Sequence, residues 1–156
     1  MDRVLKRQQI TVGSIVKIPL ANGFHGYGRI LDSKTAIYEI YTRENLPEKE
    51  ILESPILFFV AVFDSVITKG YWEKIGKPIP LEEKLKNENL PPMYKQDLAT
   101  QKCELVYPDR FEPATEEQCK GLERWSVWTA QGIEQRLEKH FASKEKPVLE
   151  KDLELV

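Results

Sequence analysis

The chain has few of the side chains from which metal and thiol sites are built. Its 156 residues include two cysteines, Cys103 and Cys119, and two histidines, His25 and His140. No C-x-x-C or H-x-x-x-H spacing brings these residues together, as zinc sites typically require. We therefore predict no metal site. Because no export signal is recognisable, we also predict two free, buried thiols rather than a disulfide.

Long apolar runs are also missing. A membrane-spanning helix needs about 20 consecutive apolar residues, and the apolar run at residues 56–63 (ILFFVAVF) is far too short. The first residues are basic, but no apolar core follows them as it would in a secretory signal. We predict a cytoplasmic protein that does not contact a membrane.

The common catalytic and cofactor-binding motifs are absent as well. The glycines do not have the dinucleotide-binding spacing. The nearest approach to a phosphate-binding loop, residues 28–35 (GRILDSKT), has Ser33 in place of the second glycine. No serine stands in a nucleophile-elbow context, and the carboxylates are mostly interleaved with lysines, as on solvated faces. We predict no cofactor and no enzymatic activity.

Positive and negative charges are nearly equal in number but unevenly distributed. Residues 1–43 contain seven Lys/Arg and three Asp/Glu, and the remaining chain contains sixteen and twenty-two, which gives a net charge of −2. A mildly acidic protein is a poor candidate for sequence-independent nucleic-acid binding, which depends on neutralising phosphates. It is a better candidate for binding a basic protein.

Two short strands joined by Asn22-Gly23 are predicted within residues 13–31 (GSIVKIPLANGFHGYGRIL). Both central residues of a type I′ turn need positive φ, which an Asn-Gly pair readily adopts. Gly26 and Gly28 share one face of the second strand, and glycine within a strand usually marks a bend or a close backbone approach. The hairpin therefore predicts the first edge of a small, strongly bent sheet.

His25, Tyr27 and Arg29 share the other face of this strand, next to Phe24 in the chain. Aromatic residues beside an arginine are enriched at protein interfaces. We predict that these four residues lie at a contact surface. The alternatives are a turn-adjacent surface position for His25 and closure of the sheet by Tyr27 and Arg29.

Short strands make up much of the remaining prediction. Residues 56–63 are apolar on both faces, so we expect a central strand covered on both sides. Five short strands in a row with glycine turns favour a mostly β (α+β) fold, a small SH3-like, strongly bent antiparallel sheet or partial barrel. We expect Trp72, Trp125 and Trp128 to be core or barrel-closing anchors rather than a ligand cage. Further strands are predicted at residues 36–42, 69–76 and 102–107.

A few short helices are predicted in the second half of the chain. One lies within residues 78–87, where Glu82 can pair with Lys86 at helical spacing. Another begins at Thr115, which forms a capping-box pattern with Gln118. Both helices are expected to be short because proline or glycine follows each of them.

A longer helix packed on the sheet is predicted near the C-terminus. Gly121 ends the preceding helix, residues 122–128 are extended, and Thr129 caps the C-terminal helix. The alternative is a single helix over residues 115–141, which would have to carry two glycines. The apolar face of the predicted helix contains Ile133, Leu137 and Phe141.

Residues 43–55 (RENLPEKEILESP) form a charged excursion that contains Glu44, Glu48, Glu50 and Glu53. One interpretation is a solvated loop or a single helical turn. The other is an acidic lip that contacts a partner. The sequence alone does not separate the two, and we include these glutamates in the predicted contact surface.

The predicted organisation is an N-terminal arm at residues 1–12, a single domain at residues 13–142 and a charged C-terminal tail at residues 143–156. Hydrophobic residues make up 41% of the chain and charged residues 31%, which is ordinary for one globular domain. The sequence predicts no oligomeric state.

Several motifs in order resemble the immunity protein 26 family of bacterial polymorphic toxin systems. They are GSIVKIPL and GYGRIL in the hairpin, the apolar run at residues 56–63, WEKIG followed by PL, and GLE and VW before IEQRL. Together they cover most of residues 12–141. The resemblance implies a mostly β, cytoplasmic, non-catalytic protein that binds and neutralises a cognate toxin encoded nearby. It implies no particular toxin and no set of binding residues.

Two other functions are compatible with the sequence. The small barrel and the positive balance of residues 1–43 also fit an SH3-like nucleic-acid-binding or ribonuclease-toxin-like barrel. The expected catalytic arginine and acid after the first hairpin are not evident, however. A structural subunit of another complex is the remaining alternative.

Overall fold

A six-stranded sheet, a three-stranded sheet and a long C-terminal helix form the main elements of the computed structural model. The structure describes residues 5–154, with side chains described for residues 5–144. The strands are β1 (Ile15–Pro19), β2 (His25–Ile30), β3 (Thr35–Tyr38), β4 (Ile56–Val62), β5 (Glu73–Ile75), β6 (Met93–Gln96), β7 (Cys103–Val106), β8 (Phe111–Ala114) and β9 (Val127–Trp128). The helices are α1 (Glu48–Glu53), α2 (Asp64–Thr68), α3 (Glu116–Cys119) and α4 (Ala130–Glu154).

The large sheet has the order β5-β1-β2-β3-β4-β9, and the small sheet has the order β6-β7-β8. The mostly β (α+β) prediction is confirmed, with the C-terminal helix packed on the large sheet. The large sheet ends at β5 and β9 and does not close into a barrel. Its pairs are antiparallel except β4–β9, which is parallel. This departs from the predicted antiparallel sheet, because the chain crosses the small sheet before it returns to β4.

The predicted hairpin forms, and Asn22 and Gly23 have the expected backbone conformation. Asn22 and Gly23 have φ of 59° and 79°, the left-handed values that an Asn-Gly pair favours. Pairing between β1 and β2 stops at Pro19 and His25, so residues 20–24 connect the strands. The connection is therefore longer than the two-residue type I′ turn that the sequence predicts.

Strand β4 is covered on both faces, as its apolar sequence predicts. Val60 packs into a cluster with Ile133 and Leu137 of α4, whereas Phe59 packs on the other face against a cluster that contains Leu85. Its predicted central position is only partly correct, because β4 lies between β3 and the edge strand β9.

The helix predicted within residues 78–87 does not form. Short 3₁₀ turns at Glu83–Leu85 and Asn87–Asn89 replace it. The backbone of Glu82 and Lys86 is extended, so Lys86 pairs with Glu83 at 3.0 Å instead of with Glu82. The buried Leu85 accounts for the difference, because it holds this segment across the sheet face.

The predictions for the C-terminal third are largely confirmed. Thr115 and Gln118 form the capping box of α3, and Gly121 follows it with φ of 80°. Residues 122–128 lead into β9, and the Thr129 hydroxyl accepts a hydrogen bond from the Gly132 N–H at 3.0 Å. Helix α4 extends to Glu154, so the tail predicted from residue 143 begins within it.

Candidate functional site

The predicted contact residues fall into two groups. His25, Tyr27 and Arg29 are buried, with 4%, 1% and 1% of their surface exposed. These three side chains do not face outward, because residues from two later segments fold over them, and their contact with a partner stays a prediction. The other predicted contact residues are half-buried or exposed, and they are Phe24, Glu44, Glu48, Glu50 and Glu53.

His25 and Tyr27 hold the start of the charged excursion. The His25 Nε2 and the Tyr27 hydroxyl are 2.8 Å apart, and the hydroxyl accepts a hydrogen bond from the Leu46 N–H at 3.2 Å. The hydroxyl can therefore donate to a neutral His25. Burial, and secondarily the charge of Lys17, lowers the pKa of His25. Both side chains stabilise the backbone of a neighbouring loop and do not face solvent.

Arg29 holds a second segment in the same way. Its Nη2 donates to the carbonyl oxygens of Ile79 and Pro80 at 2.9 and 3.1 Å. Its Nε donates to the Gly13 carbonyl at 3.3 Å, and its Nη1 lies 3.9 Å from Glu82 Oε1. A Cβ at Gly13 would lie 2.1 Å from the Ile79 carbonyl oxygen, so this close approach requires glycine. The Arg29 side chain therefore connects the segment around Ile79 to the residues just before β1, whereas the large sheet itself stays open.

The glutamates of the excursion form an exposed group around α1, which we call the acidic surface: Glu44, Glu48, Glu50 and Glu53. Ile51 is completely buried and fixes α1 against the sheet. None of these glutamates forms an ion pair within the described part of the chain. The local structure is a single short helix, and its contact with a partner stays a prediction.

A second exposed surface was not predicted from the sequence. We call it the aromatic surface, and it consists of Phe63, Phe111, Trp125 and Val127, each about half exposed. The rings of Phe111 and Trp125 meet edge to face with centroids 5.6 Å apart. Lys95 Nζ lies 4.1 Å from the Phe111 centroid and 5.7 Å from that of Trp125. The prediction that Trp125 is a core anchor is therefore wrong.

Strand pairing places these side chains together. Val127 is opposite Ala61 in the parallel β4–β9 pair, and Phe63 lies two residues beyond Ala61. Trp125 is two residues before Val127, and its N–H donates to the Tyr94 carbonyl of the small sheet at 2.7 Å. Because alternate residues of a strand share a face, the alternation of Trp125 and Val127 is the sequence signal that could have indicated this surface.

Lys34 lies in a groove between the two sheets. It belongs to the turn after β2, and its Nζ donates to the Pro91 carbonyl at 3.1 Å. It lines a cleft of about 530 Å³ with Phe58 and Arg136, and a second cleft of about 350 Å³ with Phe111 and Trp125. Burial lowers the pKa of Lys34.

The described residues show no metal-binding or membrane-spanning arrangement. No group of three or more His, Cys, Asp or Glu side chains among them is arranged to hold a metal ion. No helix in the same part of the chain is long and apolar enough to cross a bilayer. Cys103 and Cys119 are free and buried, and burial, reinforced by Cys119, raises the pKa of the Cys103 thiol.

Comparison with known proteins gives one family. The family model described as immunity protein 26 matches residues 11–104, which extend from the start of the hairpin into β7. No curated protein and no solved structure matches the chain. The matched range contains Lys34 and the acidic surface, whereas most of the aromatic surface lies beyond it.

Proposed function

We propose that this chain, which belongs to the immunity protein 26 family, binds a cognate bacterial polymorphic toxin and neutralises it without catalysis. The observation that carries the proposal is the family match, which covers more than half of the chain. Neutralisation then depends on a stable protein–protein complex in the cytoplasm. The fold is held by buried polar hydrogen bonds, and it exposes carboxylates that form no ion pair in the described residues. Such carboxylates fit an inhibitor of this kind, because acidic groups favour association with a basic surface.

The positions of the cations near the N-terminus do not favour the nucleic-acid-binding or ribonuclease-toxin-like alternative. Arg29 is buried against carbonyl groups, and Lys17 donates to Asn45 Oδ1 at 3.2 Å. Nucleic-acid binding depends on exposed lysines and arginines that neutralise successive phosphates. No observation favours the role of a structural subunit.

Growth protection tests this function directly. The test expresses the C-terminal domain of the large toxin encoded next to this gene, with and without this chain. We expect growth arrest by the domain alone and normal growth with the chain present. An unrelated toxin domain serves as the control and should arrest growth in both cultures. Failure to protect against the neighbouring domain would contradict the proposal.

A further inference from the structure

We propose that the toxin inserts an acidic, otherwise apolar segment into the groove between the two sheets. Its carboxylate pairs with the Lys34 ammonium, and its apolar side chains pack on the aromatic surface. This inference rests on the proposed function and identifies the site by which the chain would recognise its partner.

The charge of Lys34 is not balanced by a neighbouring carboxylate in the described residues. Its ammonium has three donors, and the hydrogen bond found in the described structure is to the Pro91 carbonyl. Of the cations that line the two clefts, Arg110 pairs with Asp109 and Arg136 pairs with Glu123. Lys34 has no carboxylate partner within the described residues.

Partial burial makes that missing partner significant. The side chain of Lys34 is half-buried, and removing a charge from water without a counter-ion costs free energy. The lowered pKa of Lys34 has burial as its cause, with no carboxylate to offset it. A carboxylate brought by a partner would recover this cost, so the groove is complementary to an acidic group.

Part of the aromatic surface lies beside the same lysine. Lys34 lines one cleft with Phe111 and Trp125, and this cleft of about 350 Å³ falls in the size range of ligand-binding pockets. Lys95 already lies over both rings and holds them in place before binding. Exposed aromatic residues that are fixed in this way lose little side-chain entropy on binding, and tryptophan is enriched among binding hot spots.

The surrounding charges favour a protein segment over a nucleic acid. Arg110 pairs with Asp109 at 2.9 Å and with Glu112 at 2.7 Å, so its charge is already compensated at the rim. A phosphate chain would bring repeated negative charges toward these carboxylates. One carboxylate beside Lys34, flanked by apolar side chains, satisfies the groove without that repulsion.

Matched variants test the groove. Lys34→Met and Trp125→Ala should each weaken binding of the neighbouring toxin domain by about tenfold or more, as expected for hot-spot residues. Lys77→Met changes an exposed lysine elsewhere and Leu98→Ala an exposed apolar residue elsewhere, and both should leave affinity unchanged. Thermal unfolding of all four proteins separates a loss of contacts from a loss of folding.

Carbodiimide cross-linking provides a second readout. The reagent converts a carboxylate of the toxin into an O-acylisourea. The uncharged Lys34 amine then attacks its acyl carbon, which forms an isopeptide bond and releases the reagent as a urea. Mass spectrometry should find Lys34 joined to a toxin Asp or Glu. This cross-link should disappear in Lys34→Met, while other cross-links in the complex remain.

The outcomes separate this inference from the proposed function. If the wild-type chain protects and binds, but both variants bind equally well and no Lys34 cross-link forms, the groove is not the recognition site and the function stands. If the wild-type chain neither binds nor protects, the proposed function itself fails. Self-association that Trp125→Ala abolishes would instead assign the groove to a second copy of this chain and overturn the inference.

Discussion

The acidic surface and the aromatic surface differ in how their side chains are held. The acidic surface consists of exposed glutamates, three on the short helix α1 and Glu44 in the loop before it, and none of them has an ionic partner in the described residues. The aromatic surface consists of rings fixed by one another and by Lys95. Long-range charge mainly accelerates association, whereas packed aromatic residues mainly slow dissociation. We therefore expect the two surfaces to make separable contributions to toxin binding.

The two surfaces also differ in what attaches them to the fold. The acidic surface begins at a loop tied by hydrogen bonds to buried polar side chains of β2. The aromatic surface is built on strands, through the β4–β9 pair and the link from Trp125 to β6. Loss of a buried polar group should therefore loosen the acidic surface before it disturbs the aromatic one.

The largest effect on stability is expected from removing the buried hydrogen bonds of Arg29. Arg29→Met leaves carbonyls such as those of Ile79 and Pro80 without their donor, so we expect a loss of about 3 kcal/mol in the free energy of unfolding. Chemical denaturation measures this loss. Arg124→Met, at an exposed arginine without an ion pair in the described residues, should change stability by less than about 0.5 kcal/mol. Equal effects of the two substitutions would contradict the role of Arg29.

Charge reversal tests the acidic surface alone. Glu48→Lys with Glu50→Lys should slow association with the toxin domain about tenfold at low salt, and the effect should shrink as salt is added. The melting temperature should stay nearly unchanged, because both side chains are exposed. Biolayer interferometry at several salt concentrations provides the rates.

Glu88→Lys with Glu116→Lys is the matched control, since it changes net charge equally at other exposed sites. It should have little effect on the association rate. A fall in stability with unchanged affinity in the Glu48 and Glu50 variant would make these residues structural and place the contact elsewhere.

A smaller effect on stability is expected from removing the hydrogen bond between Tyr27 of β2 and Leu46 in the loop before α1. Tyr27→Phe removes the hydroxyl that bonds His25 and Leu46, at a cost of about 1 kcal/mol. Hydrogen exchange at the Leu46 amide should accelerate, while the amide of Trp125 keeps its protection. Tyr107→Phe is the control, because the Tyr107 hydroxyl makes no hydrogen bond within the described structure. An unchanged exchange rate at the Leu46 amide would contradict a stabilising role for this hydrogen bond.

The smallest effect is a dependence of stability on pH. Because burial lowers the pKa of His25 in the folded protein, the unfolded chain binds a proton more readily. The free energy of unfolding should therefore decrease as pH falls below about 6.5, the ordinary histidine value. Urea unfolding between pH 8 and pH 5 measures it. A His25→Asn variant should have a shallower slope over this range, and an identical slope would contradict the assignment.

Local signals predicted the fold more successfully than the surfaces. The positive φ of Asn22 and Gly23, the Thr115 capping box and the Thr129 cap depend on neighbouring residues, and each forms as predicted, although the connection around Asn22-Gly23 is longer than the predicted turn. The burial of Arg29 depends on residues about 50 positions away in the chain, and alternation within β2 contains no such information. The exposure of Trp125 differs, because the alternation of Trp125 and Val127 is a local signal of it, although pairing between the distant strands β4 and β9 decides which face is exposed.

Isothermal titration of this chain into the purified toxin domain encoded beside it measures directly whether the chain binds that domain. We expect a stoichiometric complex, with binding weakened in Trp125→Ala and toxin activity lost in proportion to the complex formed. Absence of heat and of inhibition at micromolar concentrations of both folded proteins would contradict it.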